Sequence, residues 1–87
     1  MICRVTALFL RASIHVSQGL HEQARQELER LLRADPNFSE AHAALATAYY
    51  RLKRTADGDR ETAEARRVRE DAQRWVEEQR KPMPEKP

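Results

Sequence analysis

Between Gly19 and Leu52 the chain carries two amphipathic helical patterns separated only by Asp35-Pro36-Asn37, and this constrains the fold more than any other feature. Ala24, Leu28, Leu31 and Leu32 recur at offsets of 4, 7 and 8 before the turn. Ala41, Leu45, Ala48, Tyr49 and Leu52 repeat that rhythm after it. Such spacing places the apolar residues on one face of each helix, a face that must be buried against another element. Pro36 stops the earlier helix, because a proline ring pushes the residue before it out of the α conformation. A connection this short makes the two helices antiparallel neighbours.

Similar patterns flank this pair. Val5, Leu8, Phe9, Ala12 and Val16, at offsets of 3, 4, 7 and 11, predict a first helix from about Ile2 to Gln18. Gly19 ends it by taking a positive φ without steric cost. The second helix is expected from about His21 to Ala34. Asn37 offers a cap for the third, with Glu40 placed to complete a capping box, and that helix ends near Arg51 to Lys53. Arg54 to Gly58 reads as a short polar link. A fourth helix is expected from about Asp59 to Gln79, with Ala65, Val68, Ala72, Trp75 and Val76 as its packed stripe. Its outer faces carry Glu70 with Arg74 and Glu77 with Lys81 at the favourable four-residue spacing. The expected organisation is all-α, with one helical domain over residues 1–80 and a disordered proline-rich tail over 81–87.

Composition narrows the function classes. At 87 residues there is room for one domain, which buries only roughly 60–65% of the surface its unfolded form exposes. The net charge is +2, with Lys and Arg interleaved among Asp and Glu, so no broad field of one sign arises to bind nucleic acid. No apolar run is long enough for a membrane span. The opening Met1-to-Leu10 segment lacks the small-residue cleavage site of a secretory leader. Cys3 is the only cysteine and leaves the redox compartment open. The cytoplasm is the expected location, or the periplasm if the chain belongs to a longer exported protein.

No pattern for catalysis stands out. His15, His21 and His42 lack the spacing that puts metal ligands on one helix face, and no His-Glu-x-x-His occurs. Ser13 and His15, two apart, point to different faces and make no dyad. There is no glycine-rich phosphate loop. Arg66, Arg67 and Arg69 are interspersed with Glu64, Glu70 and Asp71, the pattern of a salt-bridged solvent face. Neither a metal nor a cofactor is expected, and the chain reads as a non-enzyme.

The spacing also repeats at longer range. Leu8 and His42, Ala12 and Ala46, His15 and Tyr49, Ala24 and Gly58, and Leu31 and Ala65 all share one separation along the chain. With Ala24, Leu28, Leu31 and Pro36 in one unit and Leu45, Ala46 and Tyr49 in the next, the chain resembles the tetratricopeptide repeat family, whose period of about 34 residues matches that separation. The agreement is best at the centre. Arg11 and His15 stand where that pattern has Leu and Tyr, Gly58 and Thr62 replace a small and a large residue, and Glu70 replaces the closing proline.

The resemblance implies two antiparallel helix-turn-helix repeats, about 5–38 and 39–72, running into a longer final helix. It implies a protein–protein interaction module, a scaffold or adaptor that forms the C-terminal part of a longer array. The alternatives are a homodimer through the first helix, with Phe9, Leu10 and Ile14 as its exposed apolar residues, or a lone unit whose fourth helix folds back as a third layer. By family position the partner groove would be lined by Phe9, Ser13 and Val16 from the first repeat. Glu40, Ala43, Ala44, Thr47, Tyr50 and Arg51 would come from the second. Some members clamp a peptide's terminal carboxylate, but Phe9, Ser13 and Ala44 at the matching positions lack that chemistry. Trp75 is expected in the packed stripe.

Overall fold

The computed structural model describes residues 4–80, which form four helices and no strand: α1 (Arg4–Ser17), α2 (His21–Ala34), α3 (Ser39–Arg51) and α4 (Thr55–Arg80). Successive helices pack on one another, α1 on α2, α2 on α3 and α3 on α4, with α1 also alongside α3. α4 packs on α3 alone and does not fold back over α1 or α2. The start expected at Ile2, Cys3, the Glu77–Lys81 pair and the tail at 81–87 fall wholly or partly outside the described residues.

Both odd-numbered helices end in the same turn. After α1 the amide of Leu20 donates to the His15 carbonyl at 2.9 Å, and that of Gly19 donates to Val16 at 3.1 Å. After α3 the amide of Arg54 donates to Tyr49 at 2.8 Å, and that of Lys53 donates to Tyr50 at 3.1 Å. These are paired Schellman bonds, which satisfy carbonyls that the helix end would otherwise leave open. The left-handed residue is Gly19 (φ 80°) in the first and Lys53 (φ 65°) in the second, one repeat interval further on. The internal repeat is therefore built into the backbone of the turns as well as into side-chain spacing.

The core is made of small residues around a few leucines. Leu28, Leu31 and Leu45 are the largest fully buried side chains, and Ala12, Ala24, Ala41 and Ala48 are completely covered. Val5, Leu8, Phe9, Leu32, Phe38 and Ala44 close its edge, half-buried. Phe9 is one of these: its ring lies 5.1 Å from that of Phe38, tilted by 33°, so it belongs to the core margin and not to an open α1 face. Leu10 and Ile14 do remain exposed, at 51% and 55%.

Three boundary expectations are corrected by packing. Phe38, not Asn37, occupies the cap position of α3, and no side chain caps it. Phe38 is extended there, with its ring packed on Phe9, and the helix starts at Ser39. α4 begins at Thr55, four residues before the expected start, so Gly58 lies buried inside a helix and not in a link. The Tyr50 ring covers it so closely that a Cβ there would meet ring carbons at 2.7–2.9 Å. Trp75 and Val76 do not join a core: they are 62% and 40% exposed. The reason is length, because α4 has 26 residues and runs on after the 13-residue α3 has ended, leaving every residue from 69 to 80 exposed. Glu70 and Arg74 form no ion pair among the described residues; Arg74 lies 3.7 Å from Asp71, and Arg67 is held by Glu64 at 3.0 Å and Asp71 at 3.1 Å.

The turn after α3 generates a test. A side chain in the left-handed region costs about 1 kcal/mol that glycine avoids. Lys53→Gly is expected to raise the unfolding free energy by roughly that amount, read as a higher urea midpoint with an unchanged m-value. Gly19→Ala is expected to lower it, although nothing crowds the new Cβ.

Candidate functional site

The hairpin interiors hold paired polar side chains in place of apolar ones. In the second hairpin His42, only 8% exposed, bridges two elements: Nε2 donates to the Pro36 carbonyl at 2.7 Å, and Nδ1 pairs with Glu61 Oε2 at 2.7 Å. It thereby ties the turn before α3 to α4. In the first hairpin His15 Nδ1 pairs with Glu27, which Arg11 also reaches at 3.3 Å. Glu27 and Glu61 are one repeat interval apart, so the same position of each second helix accepts a histidine from the helix before it.

A third network crosses between hairpins. The Tyr49 hydroxyl on α3 donates to Glu29 Oε1 on α2 at 2.6 Å, and Arg25 donates to the other Glu29 oxygen at 2.6 Å. Arg54 lies 4.6 Å above the Tyr49 ring and is held in turn by Asp57 of α4 at 2.8 Å. Burial, then the hydrogen bond to Glu29, pushes the Tyr49 phenol up to about 12. Arg25 is held more firmly charged, chiefly by its hydrogen bond to Glu22, and the same bond lowers the Glu22 carboxyl.

The side of the molecule where α1 lies along α3 offers an open surface. Val16, Ser17, Gly19, His21, Thr47 and Arg51 line one depression of about 380 Å³ there. Of the nine residues expected to form a groove, the fold brings Val16, Thr47 and Arg51 together in it. Phe9 and Ala44 pack on the core margin, and Ser13 is half-buried. Glu40 and Ala43 are exposed toward the start of α3. Tyr50 turns toward α4: its hydroxyl donates to Asp59 Oδ1 at 2.6 Å and lies 3.3 Å from Thr62 Oγ1. Ser17, Gly19 and His21 were missed because they flank the α1–α2 turn, where no helical spacing assigns a residue to a face. The signal that could have found them is the repeat period, which sets Gly19 and Lys53 one interval apart in equivalent turns.

Two hydroxyls of the depression are already engaged. Ser17 donates to the Ile14 carbonyl at 2.7 Å and Thr47 to that of Ala43 at 3.3 Å. Arg51 is exposed and forms no ion pair among the described residues. His21 Nδ1 is shielded from solvent without a hydrogen-bond partner. No group of three or more His, Cys, Asp or Glu placed to hold a metal ion occurs among the described residues. Among them no helix is long and apolar enough to cross a membrane.

A family model for the tetratricopeptide repeat matches residues 5–48, a stretch that runs from α1 through α2 into α3. Neither the curated proteins nor the solved structures give a match.

The Tyr49 network generates a pH test. A phenol whose folded-state titration is raised contributes stability that is complete below about pH 10, its unfolded range, and is lost as pH rises through about 12. Urea midpoints of the wild type are expected to fall across that window. Tyr49→Phe removes this part of the decline and lowers stability near neutrality by about 1–3 kcal/mol, the usual loss when a charge-assisted hydrogen bond goes.

Proposed function

The chain belongs to the tetratricopeptide repeat family, and on that premise we propose that it captures a protein partner on the side formed by α1 and α3. Repeats of this family are in general protein-interaction modules. The observation that carries the reading is the depression in which Val16 of one hairpin meets Thr47 and Arg51 of the next. A peptide laid there would touch both hairpins at once. Ser13, Glu40 and Ala43 extend the surface along the same two helices, with Phe9 and Ala44 packed beneath it on the core margin. Tyr50 acts at its edge, through its contact with α4. We assign the module no catalytic role.

We read residues 5–38 and 39–72 as the two repeats, and the unit as the C-terminal part of a longer scaffold array. Leu10 and Ile14 favour a neighbour on the α1 side, because both are large apolar residues that are more than half exposed on the same helix. A further repeat or a second copy of the chain would cover them, and the second copy is the alternative reading.

Two measurements test these assignments. A photo-crosslinking residue placed at Thr47 is expected to give partner adducts in the native cell, while one at the exposed Arg30 of α2 gives none. Equal adducts at both positions would sink the α1–α3 assignment. The isolated chain is expected to sediment as a folded monomer. A concentration-dependent dimer that Leu10→Lys with Ile14→Lys disrupts would move the assignment to self-assembly.

A further inference from the structure

We infer that the depression between the ends of α1 and α3 is a subsite for an acidic side chain, the aspartate or glutamate of a partner peptide. This rests on the interaction-module reading above and adds the chemistry that would be recognised. The lining holds one guanidinium, Arg51, and one imidazole, His21, with no carboxylate among its six residues. Arg51 differs in this from the arginines nearby in sequence: Arg54 and Arg60 both meet Asp57, at 2.8 and 3.1 Å. Glu22, next to His21 in sequence, is occupied by Arg25, whose Nε lies 3.1 Å from both of its oxygens. The lining therefore carries one cationic group and a second polar ring, and no acid among the described residues pairs with Arg51.

His21 adds direction. Its Nδ1 is shielded and has no acceptor. A partner can therefore reach the ring only through Nε2. Nε2 has no hydrogen-bond partner among the described residues and is not shielded, so it is the ring nitrogen open to a carboxylate and donates when it carries the ring proton. The Ser17 and Thr47 hydroxyl protons are committed to backbone carbonyls, so the side chains of the lining open to a carboxylate are Arg51 and His21.

The surrounding backbone permits an anion. The carbonyls at the ends of α1 and α3 already accept from Gly19, Leu20, Lys53 and Arg54, which reduces the negative field of those helix ends. Val16 supplies an apolar wall for the methylene groups of a glutamate. A guanidinium binds a carboxylate through two parallel hydrogen bonds, a geometry that an amide of the same shape does not reproduce.

The test uses the full chain labelled with ¹⁵N and an acetylated, amidated peptide Ala-Leu-Glu-Leu-Ala, whose only carboxylate is the glutamate side chain. The amides of Val16, Gly19 and Thr47 are expected to shift on titration. Binding is expected to be about tenfold tighter than for the glutamine counterpart. Arg51→Gln should make the two peptides equal, Arg51→Lys should keep part of the preference, and His21→Ala should weaken the glutamate peptide alone. All three variants lie outside the fully buried core, and their amide spectra report folding directly. Equal affinity for the two peptides in the wild type overturns the acidic subsite. So does a glutamate preference that survives Arg51→Gln, or the absence of shifts with either peptide. Partner adducts at Thr47 would leave the wider interaction surface standing in each of those cases, so the two readings fail separately.

Discussion

Close packing around α3 is the constraint on which the rest of the structure depends. This helix has α2 on one side, α4 on another and α1 alongside, so six of its 13 residues are buried and most of its circumference is committed to contacts. Three neighbours fit around one helix only if the contact residues are small. Ala41, Ala46 and Ala48 on α3, facing surfaces that include Ala12, Ala24 and Ala65, meet that need. Gly58 carries the same logic furthest, since the Tyr50 ring occupies the volume a side chain would need.

A core of alanines buries little apolar area per residue, and with three large fully buried side chains the hydrophobic contribution is modest. Polar ties between helices take on more of the specification. His42 joins the Asp35-Pro36-Asn37 turn to α4, His15 joins α1 to α2, and Tyr49 with Glu29 joins the two hairpins. Each is directional, so each fixes relative position more tightly than an apolar contact of equal area would. The repeat-equivalent carboxylates Glu27 and Glu61 give the two hairpins a common way of closing.

The same commitment determines where a partner has room. The α1–α3 side ends in a depression with a guanidinium, Arg51, that forms no ion pair among the described residues. The cleft between α2 and α4 is also open, at about 340 Å³, but its polar lining includes Glu29, Glu61 and His42, whose bonds hold the hairpins together. A partner engaging that cleft would compete with the fold. One engaging the α1–α3 depression would meet Arg51, which no ion pair ties to the fold among the described residues.

Much of this was legible in the sequence. Four helices, the bounds of α2 and the turn at Pro36 follow from 3.6-residue periodicity and from the two residues, proline and glycine, that punctuate it. The longer repeat interval, shared by pairs such as Ala12 with Ala46 and Leu31 with Ala65, also identified the family and drew attention to the α1–α3 side. These are properties of residues near one another along the chain, or repeated at a fixed interval, and hydrophobic patterning encodes them directly. The tertiary structure decided what depends on the lengths and separations of packed elements. Trp75 lies on an apolar stripe but projects past the end of α3, and Tyr50 lies at a groove position but turns to α4. Gly58 looks like a linker residue but lies buried in α4 beneath the Tyr50 ring, and His21 shows no periodic signal but lines the depression. No local pattern specifies these outcomes, because each is set by where a different helix ends.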